Sequence, residues 1–394
     1  MTKPVENAWP EPLSGVRVID FTSIMAGPYC TRILADQGAE VIKIEEPGGD
    51  MLRARAPLRD GASAYFGHLN AGKKSIVLNL KRAEAVDVAR ELIKSADIVV
   101  EAFRPGVMKR FGLDYEALAS ENPKLIYCSI SGYGQTGPGA LRPAYAPIVH
   151  AASGYELANM RCLGTERPLP SGFFFADVMC GIHAAGAITT ALYHRARVGE
   201  GQFIDVSLME TMINSLIYEF QEAQFPIEKP RLVYSALRAS DGFILITPIS
   251  QRNFEAMADA MGHSEWKTDN RFKNQSVREQ HWAELMKLVE EWTSVRLGQE
   301  CEEIMLAAGC ACTKYKSVCD LFDDPQLQAR NSFAKISDAV GSYWAPNLPY
   351  KLSGARVGVR PHVPALGEHA QQVFEQVLKV PTSEVAELRR RVET

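Results

Sequence analysis

The 394-residue chain lacks any basic block or Lys/Arg stripe: 43 Lys and Arg stand against 47 Asp and Glu, a net charge of −4. A nucleic-acid partner, which needs a basic footprint, is therefore not expected. No uninterrupted apolar run reaches the ~20 residues of a membrane helix, so no membrane partner is expected either. The first ten residues, Met1 to Pro10, carry Lys3, Pro4 and Glu6 without the apolar centre of a secretory signal. The eight cysteines lack a framework, and the nearest pair, Cys310-Ala-Cys312, has no histidine cluster beside it. That pattern fits neither a zinc site nor a disulfide scaffold, so no metal is expected and a reducing cytoplasm is the expected compartment. Internal repeats and low-complexity tracts are absent as well. What remains, 46% hydrophobic and 23% charged residues, is ordinary globular composition in a chain long enough for two domains.

Taken in order, the chain alternates strand and helix. Val16 to Phe21 reads as a strand, Tyr29 to Gln37 as a helix stopped by Gly38, and Glu40 to Glu45 as a second strand: a βαβ unit with a right-handed parallel crossover. Glu45 stands where an acid binds ribose in dinucleotide folds. The first loop, Thr22 to Pro28, holds one glycine and no G-x-G-x-x-G, so that reading is set aside. Strands at Ser75–Leu80, Asp97–Phe103 and Leu125–Ser131 alternate with helices at Arg82–Ser95 and Asp114–Glu121, and a Gly/Pro-rich loop follows from Gly132 to Pro143. The expected fold class is α/β, a doubly wound, mostly parallel, Rossmann-like sheet with ligands outside the carboxyl ends of its strands. A large domain is expected over 1–220, a linker over 221–230 and a smaller α+β domain over 231–332. Short helices from Gly367 to Leu378 and from Thr382 to Val392 end the remaining segment, 333–394.

One carboxylate stands out. In Ser171-Gly172-Phe173-Phe174-Phe175-Ala176-Asp177-Val178-Met179-Cys180-Gly181, Asp177 lies between aromatic residues and a long run of small apolar ones that suits a buried helix. A desolvated carboxylate costs several kcal/mol unless paired or hydrogen-bonded. Two readings follow from the residues alone: a helix cap, or a carboxylate nucleophile kept partly dry to attack an activated acyl group.

Several stretches together resemble the class III CoA-transferases. They are Pro12 to Phe21, Ala26-Gly27-Pro28, Leu34 to Glu45, Asn70 to Ser75, Val100 to Gly106, Gly199 to Gln202, Arg360-Pro361 and Leu366 to His369. This family includes formyl-CoA:oxalate and carnitine CoA-transferases and shares its fold with the 2-methylacyl-CoA racemases. The resemblance covers essentially the whole chain. It implies an interlocked, ring-like homodimer in which the segment after about Ser332 returns to the large domain. It makes Asp177 the nucleophile, forming in turn an acyl anhydride and an aspartyl-CoA thioester, with a CoA thioester as substrate and no permanently bound cofactor. By position it places Ser23, Ile24, Met25 and Ala26 against the CoA and the reacting thioester. The equivalents of Leu78 to Lys81, Ala102, Phe103, Arg104 and Arg110 contact adenine, ribose and phosphates, and Tyr145 lies close to the active carboxylate.

Three departures from the family pattern stand in this chain. Met25 replaces a Gln found in some members, a glycine-rich loop of the small domain is missing after Tyr234, and His150 occupies a position where Gln is common. His150 has two readings, a substrate contact or a packed core histidine. The rival activity is 2-methylacyl-CoA racemisation, which uses a His where this chain has Tyr145; a phenol with a pKa near 10 is a poor proton carrier for that work. Arg142, Arg161, Arg167 and Arg238 flank the expected active region, and a spare arginine would suit the second carboxylate of a short dicarboxylic acid.

Overall fold

The computed structural model describes residues 9–227 and 232–394. Residues 1–8, most of the N-terminal stretch read above, lie outside it, as do 228–231, where the expected linker ends and the smaller domain is expected to begin. The chain forms two compact units, one comprising the chain up to Met160 with Thr165–Pro226 and Ala329–Thr394, the other Arg161–Gly164 with Ile227–Gln328.

The first unit is built on six strands, β1 (Arg17–Asp20), β2 (Glu40–Glu45), β3 (Lys74–Val77), β4 (Ile98–Glu101), β5 (Ile126–Ser131) and β6 (Gln202–Ser207). All pair in parallel in the order β3-β2-β1-β4-β5-β6. Runs such as Val18-Ile19, Val41-Ile42 and Ile98-Val99-Val100 do not alternate with polar residues because both faces are covered. On one face, helix α1 (Ala26–Asp36) packs with the long C-terminal neighbour of the Asp177 stretch, and on the other lie α2 (Ala83–Lys94) and the helices Ala370–Gln376 and Thr382–Val392. This is the doubly wound arrangement, with the direction of winding reversing between β1 and β4.

Two helices carry the Asp177 region: α3 (Ala146–Ala152) and α4 (Phe175–Val198). The buried stripe of α4 is almost all small: Ala176, Cys180, Gly181, Ala184, Ala185, Ile188 and Ala191. That stripe lets α1 approach closely. A Cβ on Gly181 would lie 2.7 Å from the Ala26 carbonyl oxygen and 3.2 Å from Tyr29 Cβ. Among the described residues α4 is the one helix long and apolar enough, by length and composition, to cross a membrane. The run criterion passes over it because His183, Thr189, Thr190, His194 and Arg195 interrupt its apolar residues.

Several local expectations change. The helix expected from Asp114 to Glu121 shortens to Tyr115–Leu118, and after β6 the chain forms two helices that meet at Leu216, Leu208–Ser215 and Ile217–Gln224. The second piece runs into the stretch read as a linker. Helices Ala64–Asn70, α3 and Tyr155–Leu163 were not legible, being short and set among Gly, Pro and Ser. A hairpin, Phe333–Asp338 with Gly341–Pro346, opens the segment 333–394.

The second unit has a three-stranded antiparallel sheet, Cys312–Lys314 beside Gly242–Ile246 beside Leu237–Ala239. Helices Gln251–Ala260, Trp282–Thr293 and Gly298–Ala307 close its core around Phe254, Met257, Phe272, Leu285 and Val289.

Candidate functional site

The turn between β1 and α1 is held by buried charges. Asp20 accepts at Oδ1 from the Thr22 amide (2.9 Å) and hydroxyl (2.5 Å), and at Oδ2 from Thr31 Oγ1 (2.7 Å) and Lys73 Nζ (3.0 Å). Burial alone would raise the Asp20 carboxyl, but Lys73, Lys43 and the two hydroxyls hold it below the usual carboxylate range. Burial works the other way on Lys73 and brings its ammonium down to about 8. A second pair grips the same turn. Lys43 Nζ donates to the Thr22 carbonyl at 2.7 Å and to Asp50 Oδ2 at 3.0 Å, while Asp50 Oδ1 accepts from the Leu52 amide at 3.0 Å and from the Ile24 amide at 3.5 Å. Between these anchors Ile24 adopts φ +70°. A β-branched residue rarely adopts that conformation, which persists only when its surroundings over-determine it.

Outside the carboxyl ends of β3, β2, β1 and β4 lies a cleft of about 580 Å³. Ser23, Glu46 to Met51, Leu78 to Lys81, Phe103 and Phe111 line it. It opens at the reversal of strand winding, where ligands of such sheets bind. Of the residues expected to meet the CoA, Ser23, Leu78, Lys81 and Phe103 line this cleft. Ala102, Arg104 and Arg110 are exposed close by in sequence, between and beside the lining residues Phe103, Val107 and Phe111. Ala26 is buried at the start of α1 instead, and Ile24 is half-buried against the apolar cluster of Met25, Leu52, Phe66 and Leu69. Glu45 is not free to hold a ribose. Its carboxylate takes Arg53 at 2.7 Å on both oxygens, Ser75 Oγ at 2.6 Å and the Asp50 amide at 3.0 Å. Glu101 ends β4; burial pushes it up to about 7, and its Oε2 accepts from the Phe103 amide at 2.8 Å, fixing the loop that bears Phe103.

Asp177 stands in the first turn of α4, three residues after the non-helical Phe174. It does not cap: the N-cap position is Phe174, with no side-chain cap bond. Among the described residues no donor bonds its carboxylate, and burial pushes it up to about 6. Its neighbour Val178 packs against the cluster containing Ile24, Met25 and Tyr65, which brings the first turn of α4 beside the β1–α1 turn. The Tyr65 phenol is raised by burial and by Asp177. Met25 presents a thioether within that cluster, so it offers no side-chain amide to the site.

His150, 1% exposed, sits in the last turn of α3. Its Nε2 accepts from the Ala176 amide at 3.1 Å, and its ring packs with Tyr155 and Phe175 at centroid distances of 5.6 and 6.4 Å. Burial lowers its pKa. Tyr145 is the residue before α3 and is 63% exposed. Of the four arginines, Arg142 and Arg167 are exposed on the first unit, whereas Arg161 and Arg238 belong to the second. Asp50, Lys43 and Tyr65 were not singled out from the sequence. Gly48-Gly49-Asp50 directly after β2 was the available signal for the first of them.

One group of potential metal ligands exists among the described residues, with donor atoms of His362, Glu368 and His369 within 4.8 Å of one another. These atoms are already engaged: Glu368 with His362 (2.8 Å) and the Ala365 amide (2.7 Å), His369 Nδ1 with the Ser75 amide (3.3 Å).

Comparison with known proteins shows the family. Residues 13–370 match the sequence pattern of CoA-transferase family III. A succinate–glutarate CoA-transferase of Agrobacterium fabrum is 34% identical over 389 residues, 93% of this chain and 96% of that protein. A formyl-CoA:oxalate CoA-transferase of Afipia carboxidovorans is 31% identical over 96% of both chains. The crystal structure of a CaiB/BaiF family protein from Brucella suis superposes with a TM-score of 0.84 at 32% identity, covering 93% of this chain and all of the other.

Proposed function

Because the chain belongs to CoA-transferase family III, we propose that it moves CoA from a short acyl-CoA to a carboxylic acid through covalent intermediates on Asp177. The observation that carries this reading is a half-buried carboxylate in the first turn of a helix, without a hydrogen-bond donor among the described residues and raised by desolvation to about 6. Desolvation strips the hydration that makes a carboxylate a weak nucleophile, and the helix N-terminus favours negative charge developing beside it.

The steps balance without ATP. An Asp177 oxygen attacks the thioester carbonyl and CoA leaves as thiolate, giving a mixed anhydride. The thiolate attacks the aspartyl carbonyl, releasing the donor carboxylate and leaving an aspartyl-CoA thioester. The acceptor carboxylate then attacks that thioester, expelling CoA as thiolate and forming a second anhydride; the thiolate attacks the acceptor's acyl carbonyl, and the Asp177 carboxylate leaves. Backbone amides of the Ser23 to Ala26 turn would stabilise the oxyanion, replacing the amide side chain that Met25 lacks. The cleft would hold the nucleotide end of CoA between Leu78, Lys81 and Phe103, with Arg104 and Arg110 toward phosphates and Ala102 beside them.

The relatives named above act on succinate, glutarate and oxalate, and a C4 or C5 dicarboxylate is the acceptor class proposed here. A homodimer is the proposed assembly, since Phe173, Phe174, Tyr145 and Ile148 leave large apolar side chains exposed around the site. A cytoplasmic location suits the free cysteines. The test is to incubate the enzyme with succinyl-CoA, quench with hydroxylamine or borohydride, and map the adduct by mass spectrometry. Modification at Asp177 supports the reading. Deuterium uptake at the α-carbon of a 2-methylacyl-CoA without any acceptor acid would instead establish the racemase chemistry.

A further inference from the structure

The first turn of α4 has a deficit that its own sequence cannot fill. The initial N–H groups of a helix have no intrahelical partner, and Phe174 at the N-cap has no acceptor on its side chain. The acceptor comes from another helix, 26 residues back: His150 Nε2, 3.1 Å from the Ala176 amide. Its placement is over-determined. The imidazole, Tyr155 and Phe175 form a three-ring cluster with centroids 5.6, 6.4 and 6.2 Å apart.

Accepting at Nε2 requires that the proton of the neutral ring sit on Nδ1. That Nδ1 is buried without a partner among the described residues, a desolvation cost the site carries to keep Nε2 free. The charge state matters because Asp177 is the next residue. A carboxylate cap would push the Asp177 carboxyl further up, and a cation would pair with it and dull its attack. An uncharged acceptor satisfies the backbone and leaves the positive end of the helix to Asp177.

We infer that His150 is a positioning residue, not a substrate contact: through the Ala176 amide it fixes the turn on which Asp177 stands. This rests on Asp177 being the nucleophile. The test compares His150→Leu, His150→Gln and Asp177→Asn in the full-length protein with succinyl-CoA and glutarate, together with 15N spectra of histidine-labelled wild type. His150→Leu is expected to lower kcat by about 10²-fold, the scale of a misplaced reacting group, with KM for succinyl-CoA changed by less than about threefold. His150→Gln, whose amide oxygen can accept the same N–H, is expected to keep at least about a third of kcat, and the wild-type resonance to report a neutral, Nδ1-protonated ring. Wild-type kcat in His150→Leu, failure of His150→Gln to rescue, or an Nε2-protonated ring would overturn the inference. A fully active Asp177→Asn would overturn the nucleophile reading instead, while the tautomer and the rescue would still report on the cap. Should His150→Leu not fold, the Gln variant and the spectra decide.

Discussion

Asp177 illustrates how one side chain can serve chemistry at the expense of stability. Its carboxyl titrates near 6 in the folded chain against an ordinary 3.8, with burial as the cause. The acid form is thus the one folding favours, so the favourable contribution is complete below about pH 4 and is lost as pH rises through about 6. Replacement by Asn is expected to stabilise the protein by on the order of 1–3 kcal/mol at pH 8 but by little at pH 4, measured by urea unfolding. The same variant is expected to lose transfer activity by on the order of 10⁴-fold. For the wild type, the attacking form is the anion, so kcat/KM is expected to rise with pH through about 6 and level off above it. A flat profile between pH 5 and 8 would contradict the assignment.

The β1–α1 turn is an element whose shape depends on buried ion pairs in place of its own sequence preference. Ile24 at φ +70° is held between Lys43, Asp50 and the Asp20–Lys73 pair. Lys73→Met would leave Asp20 buried without its closest countercharge, and is expected to destabilise the first unit by about 3–5 kcal/mol, read as a lower urea midpoint. The α1–α4 crossing is the second such element. Gly181→Val would drive a side chain into the Ala26 carbonyl, and is expected to cost about 1–3 kcal/mol and to lower kcat more than it raises KM for acyl-CoA. Equal stability and rate in that variant would mean the two helix N-termini need not touch. Neither feature could be read from a window of sequence, because each depends on partners far along the chain: Lys73 is 53 residues from Asp20.

At the scale of the whole molecule, large apolar side chains remain exposed along Phe173–Phe175 and on α4 at Ile182 and Tyr193. Exposed patches of this kind mark association surfaces. Sedimentation equilibrium is expected to give twice the 43.5 kDa of one chain, and a monomer at micromolar concentration would remove the dimer. A panel of acceptor acids is expected to favour C4 and C5 dicarboxylates over long monocarboxylates, read by mass spectrometry of the product thioesters. Of the arginines weighed for that preference, Arg142 and Arg167 belong to the same unit as Asp177, and Arg161 and Arg238 to the other.

From sequence alone came the parallel α/β class, the missing phosphate-binding glycines, the exceptional Asp177 and, through extended matching stretches, the family. These are legible because hydrophobic period, turn chemistry and collinear motifs are local properties of a chain. Tertiary structure alone decided that Asp177 does not cap its helix, that His150 does so from a different helix, and that Lys43 and Asp50 strain the turn at Ile24. Burial, hydrogen-bond partnership and the resulting shift of a carboxyl to about 6 are properties of what surrounds a residue. Those surroundings are assembled from segments that the sequence keeps far apart.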